Sequence, residues 1–121
     1  MLDLEKRRRQ RRSPKKLPEG VYTSVVIEVR WADGYDDPEE AYEVIYEITD
    51  ESGNIYRHRE IFKNNALSER TSKFEDYLTD NGIKNLDDFV GNREKLSFSY
   101  VKANGNEFFN ITDREFIGNG E

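Results

Sequence analysis

The chain has 121 residues, 36% of them charged and 35% hydrophobic, with one histidine and no cysteine. That length makes one domain with one modest core, and the composition excludes a disulfide framework, thiolate metal sites and His-based metal clusters. The formal net charge of −6 hides a polarised molecule: residues 1–18 carry eight basic and two acidic side chains, a formal +6, and the rest carries 11 basic and 23 acidic ones, a formal −12.

The eight cations are Lys6, Arg7, Arg8, Arg9, Arg11, Arg12, Lys15 and Lys16, within "KRRRQRRSPKK". Leu2, Leu4 and Leu17 are the only sizeable apolar side chains of the segment, and Pro14 and Pro18 bar a continuous helix through its end. Residues 1–18 therefore read as a disordered basic arm. No apolar run approaches the roughly 20 residues that cross a bilayer, and no apolar stretch follows the N-terminal charges. The expectation is a soluble, cytoplasmic protein with no membrane partner.

From Gly20 the pattern changes to β. In "VYTSVVIEVRW", Val25, Ile27, Val29 and Trp31 alternate onto one face, while Tyr22 and Val26 have the opposite parity, which calls for a bulge or a strand buried on both faces. An acidic loop, "ADGYDDPEE", follows. In the second strand, "AYEVIYEIT", Tyr42, Val44, Tyr46 and Ile48 share a face. "DESGN" then turns the chain into "IYRHREIF". With a five-residue loop, Tyr46 faces His58, Tyr42 faces Phe62 and Glu47 faces Arg57; a four-residue loop reverses the parity of the third strand.

After Lys63 the period switches to three and four, through Leu67, Thr71, Phe74, Tyr77 and Leu78. This pattern predicts a helix of about four turns, capped by Asn64 or Asn65 and ended by Gly82. "NLDDFVGN" reads as a short helical turn closed by Gly91. Two strands complete the chain, "EKLSFSYVK" and "NEFFNIT", joined through Asn-Gly, the pair that tolerates positive φ at both centres of a tight hairpin. Phe116 and Ile117 form a last docking pair.

The element order β-β-β-α-β-β is that of the OB-fold. The expected fold class is thus mainly β, a five-stranded OB-fold-like Greek-key barrel over residues 19–117 with a frayed tail at 118–121. The rival is an open α+β sheet with one helix on a face. Residues 17–117 also resemble a family: "LPEGVYTSVVIEVRW", "LTDNGIKNLDDFVGNREKLSFSYVK" and "NGNEFFNI" are similar to the small phage and mobile-element proteins related to OB-type single-stranded DNA-binding proteins. The counterparts of the family's leading motif are Pro18, Gly20 and Tyr22, followed by Leu86, Val90 and Gly91. Where that family has a basic residue after the glycine, Asn92 stands here, with Arg93 next. The resemblance implies single-stranded DNA binding.

The arm is the first candidate site. "KRRRQRR" is similar to the arginine-rich RNA-binding segments of viral regulators, and "SPKK" resembles the minor-groove motif of histone tails. Arginine offers a planar fork that fits phosphate, and closely spaced cations release condensed counterions on binding. A localisation or partner-docking tail, and an arm folded onto its own acidic body, are the competing readings. On the body, Trp31 and Tyr35 near the first loop and Arg57, Arg59 and Lys63 on and after the third strand form the candidate patch, rings for stacking and cations for the backbone. Against this, Arg57 and Arg59 can pair with Glu47 and Glu43, and Trp31 can be core. His58 reads as a packed histidine. The acidic loop lacks EF-hand spacing, and no nucleotide or nucleophile motif is present.

The sequence therefore points to a non-catalytic module that needs no cofactor and binds single-stranded DNA or RNA. The second expectation is a protein-interaction module whose acidic barrel engages a basic protein partner or mimics nucleic acid.

Overall fold

The computed structural model describes residues 17–65 and 67–119. The eight arm cations lie outside them. Five strands, β1 (Gly20–Trp31), β2 (Ala41–Thr49), β3 (Ile55–Lys63), β4 (Arg93–Ala103) and β5 (Asn106–Gly118), form one antiparallel sheet. One helix, α1 (Glu69–Asp80), and a short 3₁₀ turn (Leu86–Phe89) connect β3 to β4. The spatial order is β3-β2-β1-β4-β5. Its first four strands are a Greek key, because the α1 connection carries the chain from one edge across to the far side of β1.

The expected closed barrel is not formed. β3 and β5 remain the two edges of the sheet, with no backbone ladder between them. Two register shifts lie in the β4–β5 pair, where the partners pass from Ser97↔Asp113 to Phe98↔Ile111 and from Arg93↔Gly118 to Glu94↔Phe116. Such bulges bend a strand and interrupt its pairing. The edges approach instead through inward side chains: Arg114 of β5 bonds Glu60 of β3, and the His58 and Phe109 rings meet edge to face at 5.7 Å.

The hairpins follow their turn chemistry. Residues 50–54 make a five-residue β2–β3 connection with Tyr46↔His58, Tyr42↔Phe62 and Glu47↔Arg57 in register. Asp50 holds it together by accepting from the amides of Ser52 (2.9 Å) and Asn54 (2.8 Å). At the β4–β5 turn, Asn104 and Gly105 both take positive φ, 53° and 79°, as a two-residue primed turn requires.

β1 carries a bulge, so its apolar residues do not share one face. The register steps from Val26↔Tyr46 to Glu28↔Ile45, leaving Ile27 as the extra residue. Val26 therefore faces the core with Tyr46, and beyond the bulge Val29 and Trp31 pair with Val44 and Tyr42. The bulge also gives the Val26 backbone new partners: its amide donates to the Asn92 carbonyl (3.0 Å) and its carbonyl accepts from Gly91 (2.8 Å). Gly91, at φ 92°, makes this approach possible. Asn92, buried, donates through its side-chain amide to the carbonyls of Asp88 and Phe89. The buried Asn92 amide thus satisfies the carbonyls at the end of the 3₁₀ turn.

The helix is shorter than its period predicts, 12 residues, and it starts later. Ser68, not Asn64 or Asn65, is the N-cap, accepting from the Thr71 amide at 3.4 Å. Asn65 is occupied in a turn with the Leu67 amide, and Asn64 donates to the Glu39 carbonyl; Leu67 is left exposed. Gly82, at φ 83°, follows the C-cap Asn81. Replacing Ser68 with alanine is expected to cost about 0.5–1 kcal/mol, since the cap bond is long. A denaturant midpoint that does not move would show that the cap contributes nothing.

The core joins the inner face of β2 to the helix. Tyr42, Val44, Tyr46 and Ile48 are all buried, with Val26, Phe62, Leu96 and Phe98 beside them. Phe74 and Leu78 of α1, at a helical spacing of four, bring the helix down onto this face. Phe74 stacks on Phe62 with centroids 4.1 Å apart and meets Phe89 edge-on at 5.9 Å. Leu17 is also buried, so the packed body begins ahead of the first strand.

Candidate nucleic-acid interface

The arm's point of departure is pinned. The carbonyl of Leu17 accepts from the Tyr100 hydroxyl (2.5 Å), that of Pro18 accepts from the Tyr22 hydroxyl (2.7 Å), and Glu19 accepts from the Tyr100 amide (2.8 Å). Tyr100 lies on the part of the β4–β5 hairpin that extends past the end of β1, whose pairing with β4 stops at Gly20↔Phe98. On the opposite face of the same projection, the cross-strand partners Val101 and Phe108 are exposed.

The five body residues named from the sequence do not gather at that end. Trp31, 47% exposed, closes β1 at its far end, and Tyr35 is exposed in the following loop. A 12-residue strand separates this end from the arm's exit, about 36 Å at 3.3 Å per residue. Arg57 and Arg59 project from the outer face of β3, which the register of β2 and β3 makes the side away from the core. Lys63 ends β3 in a pocket shared with Asp37, Glu39 and Glu40. The residues thus spread along the whole length of β3 and around the acidic loop.

Several of the body's cations are already committed. Glu43, 2% exposed although it lies on the outer face, is held by Arg30 and by Arg59 at 3.4 Å. Arg57 faces Glu47 in register, and among the described residues the two form no ion pair. Lys73 pairs with Glu69 one helical turn away. What remains around Trp31 and Tyr35 is carboxylate: Asp33, Asp36, Asp37, Glu39 and Glu40 are all exposed.

Sequence reasoning missed a cluster at the seam between the sheet edges. Arg114, on β5, bonds Glu60 of β3 through Nη2, the Tyr46 hydroxyl of β2 through Nη1 (2.9 Å), and approaches Glu94 Oε2 of β4 at 3.6 Å. Tyr46 donates to Glu60 (3.0 Å), Tyr77 of α1 donates to Glu94 Oε2 (2.7 Å), and Arg70 of α1 pairs with the other Glu60 oxygen (3.0 Å). Glu94 is fully buried, and its Oε1 has no hydrogen-bond partner among the described residues.

Burial raises the Glu94 carboxyl above the usual range, against the opposing pull of Arg114 and Tyr77. Burial also drives the Tyr46 hydroxyl upward, reinforced by Glu60, and drives Tyr77 upward with Glu94 adding to it. Arg114 stays firmly charged: desolvation works against its cation, and Tyr46 and Glu60 outweigh that. His58 sits among the rings of Tyr46, Phe98 and Phe109, and burial lowers its pKa. One signal of the cluster is present in the sequence: Glu60 and Glu94 have the parity of Phe62 and Leu96, so each alternation places a carboxylate on the core side.

Beside this cluster, between β3, α1 and β5, runs an open groove of about 820 Å³, lined by Phe62, Arg70, Lys73, Phe74, Tyr77 and Arg114 among others. Arg70 lies over the Phe62 ring at 4.3 Å and Arg114 over Phe74 at 4.9 Å, so the walls are cation–π pairs closed on themselves. Among the described residues, no three His, Asp or Glu side chains form a metal-holding group. Among the described residues, no helix is long and apolar enough to cross a membrane. No protein-family model, curated protein or solved structure matches the chain significantly.

Proposed function

We propose that this protein is a non-catalytic, OB-type single-stranded nucleic-acid-binding module of a phage or mobile element, with the basic arm as its main contact. The observation that carries this reading is the anchoring of Leu17 on the β4–β5 hairpin. It fixes the origin of the eight-cation segment beside a projecting hairpin that exposes Phe108. In OB-folds the loop between the fourth and fifth strands is one of the surfaces that hold oligonucleotides. The strand order and the partly open sheet are compatible with that fold.

The arm supplies electrostatic capture, and Phe108 supplies a stacking surface of a kind that is tolerant of base identity. The strand 2–3 patch contributes less than its composition indicates, because Arg59 is held by Glu43 and Lys63 sits beside Glu39 and Glu40.

If about half of the arm's cations meet phosphates of a single strand, log K falls against log salt with a slope of about −3, a loss of roughly 60-fold between 50 and 200 mM. Removing residues 1–16 leaves Leu17 in place. That truncation is expected to weaken binding to a labelled oligonucleotide at least about tenfold at 50 mM salt and to flatten the slope towards zero. Equal affinity and slope for the intact and truncated proteins would sink the proposal.

A second reading rests on the other end of the molecule. Trp31 and Tyr35 are exposed next to the carboxylates of residues 33–40, a combination of aromatic surface and negative charge that suits a Lys/Arg-rich protein partner. It predicts that the truncated body binds a basic peptide in competition with the intact protein's own arm, and has no affinity for the oligonucleotide.

A further inference from the structure

The β3–β5 seam lacks a backbone ladder, so whatever holds these edges together does so through side chains. The central one is Arg114, which stands between two carboxylates on opposite sides of the gap. Glu60 belongs to β3, across the seam. Glu94 belongs to β4, the strand already paired with β5 on the same side. The bonds are unequal: Nη2 bonds Glu60 directly, while Nη1 stands 3.6 Å from Glu94 Oε2. Glu94 keeps one oxygen without a partner among the described residues although it is fully buried. A carboxylate in that condition is costly when ionised and tolerable when neutral.

We propose that Arg114 is a two-position latch: while Glu94 is neutral the guanidinium is committed to Glu60 and clamps β5 to β3, and ionisation of Glu94 draws it back towards β4 and loosens the seam. Two bonds of Arg114 cross the gap, from Nη2 to Glu60 of β3 and from Nη1 to the Tyr46 hydroxyl of β2 at 2.9 Å, and drawing Nη1 in from 3.6 Å onto Glu94 competes with both. Glu60 has a second cation, Arg70 of α1, so it is not abandoned when Arg114 turns away. Glu94 has no other cation among the described residues; the groups around it are the Tyr77 hydroxyl of α1, Tyr46 of β2, Glu60 of β3, and Ser24 of β1, which bonds only its backbone carbonyl.

The sign follows from linkage. A carboxyl whose pKa is higher in the folded state than in the unfolded one stabilises the fold below its unfolded pKa, and that contribution is lost as pH rises through the folded pKa. The seam therefore loosens towards high pH. His58, also at the seam, has a lowered pKa. Its contribution is lost in the opposite direction, as pH falls, so the two groups are separable by sign. Asp113 faces Tyr77 from β5 and adds to the repulsion of any further negative charge there.

The test is amide protection by NMR in the intact protein, corrected for intrinsic exchange, between pH 5 and 9. In the wild type, protection along residues 108–116 and 56–62 is expected to fall about tenfold towards the alkaline end, while the β1–β2 ladder is unchanged. In Glu94→Gln, which fixes a neutral group in the same volume, protection at these edges should stay at its acidic-limb level throughout. His58→Gln should keep the alkaline fall. The proposal is overturned by flat protection in the wild type, or by a Glu94→Gln variant that retains the fall. Should that variant fail to fold, the wild type alone decides: the Glu94 side-chain carboxyl resonance must titrate in this range together with the Arg114 guanidinium, and a Glu94 that titrates below pH 5, or without Arg114, refutes the latch.

Discussion

Phe98→Ala is expected to destabilise the fold by about 3–5 kcal/mol, the range for truncating a fully buried aromatic residue. Phe98 is 2% exposed and touches each part of the structure that meets near the seam. Its ring stacks on Phe109 of β5 at 4.5 Å, receives the edge of His58 of β3 at 5.3 Å, and lies 6.2 Å from Tyr22 of β1. Elsewhere in the sheet a lost ring leaves ladders on both sides to hold the strands. Here β3 and β5 have no ladder, so the ring is part of what joins them, and the cavity would open along a line of weakness. Urea denaturation monitored by circular dichroism gives the value. Phe98→Leu, which leaves a smaller void, should cost roughly a third as much. A loss below about 1 kcal/mol for the alanine variant would mean that the aromatic stack is not a structural joint.

The second large effect is expected on the outer face. Glu43 is buried beneath two guanidinium groups, those of Arg30 and Arg59, and it is the long arginine side chains that cover it. The double substitution Arg30→Met and Arg59→Met keeps much of the apolar cover and removes both charges. It leaves a buried carboxylate with no cation and should cost about 2–4 kcal/mol, at or below the range for breaking a buried pair because both arginines are about half exposed. Either single change should cost under about half of this, since one cation remains. Adding Glu43→Gln to the double variant should recover most of the loss. If the double variant is as stable as the wild type, the arginines are surface decoration and are free to serve a ligand.

That last outcome matters for how a patch is read. Arg57, Arg59 and Lys63 look in sequence like a cationic stripe on one strand, with Trp31 and Tyr35 as adjacent rings. In the fold, Arg59 turns to Glu43, Lys63 ends among Asp37, Glu39 and Glu40, and Trp31 lies at the opposite end of β1 from the arm. Charge along a strand is legible in sequence; which carboxylate answers each charge is not, because the partners are brought together by pairing between distant segments.

Local signals translated well where the deciding interactions are short in range. The Asn104-Gly105 turn and the five-residue Asp50 turn each set their own hairpin, and the second sets the whole β2–β3 register. The β1 bulge was foreshadowed by the clash of parity between Val26 and Val29. The helix start moved to Ser68 because Asn65 spends its side chain on the Leu67 amide, a competition between two local turns that residue type alone does not resolve. The way the two sheet edges meet without a ladder was not legible. It depends on bulges in β5 and on Arg114, a residue that falls just beyond the apolar alternation of the last strand and meets Glu60, 54 positions away.

The same open seam has a meaning for crowded solutions. A sheet with two unpaired edges carries two rows of open backbone groups, and those of one molecule can pair with those of the next. If the clamp between Arg114 and Glu60 is released, β5 of one copy and β3 of another become partners in a head-to-tail arrangement, which nothing in the contact itself brings to a close. The internal ion pair then acts as a guard against polymerisation as well as a brace. The charges of Arg57, Arg59 and Lys63 along β3, together with the bent course of β5, place the safeguards of an edge strand at the two places where such a chain of molecules would begin.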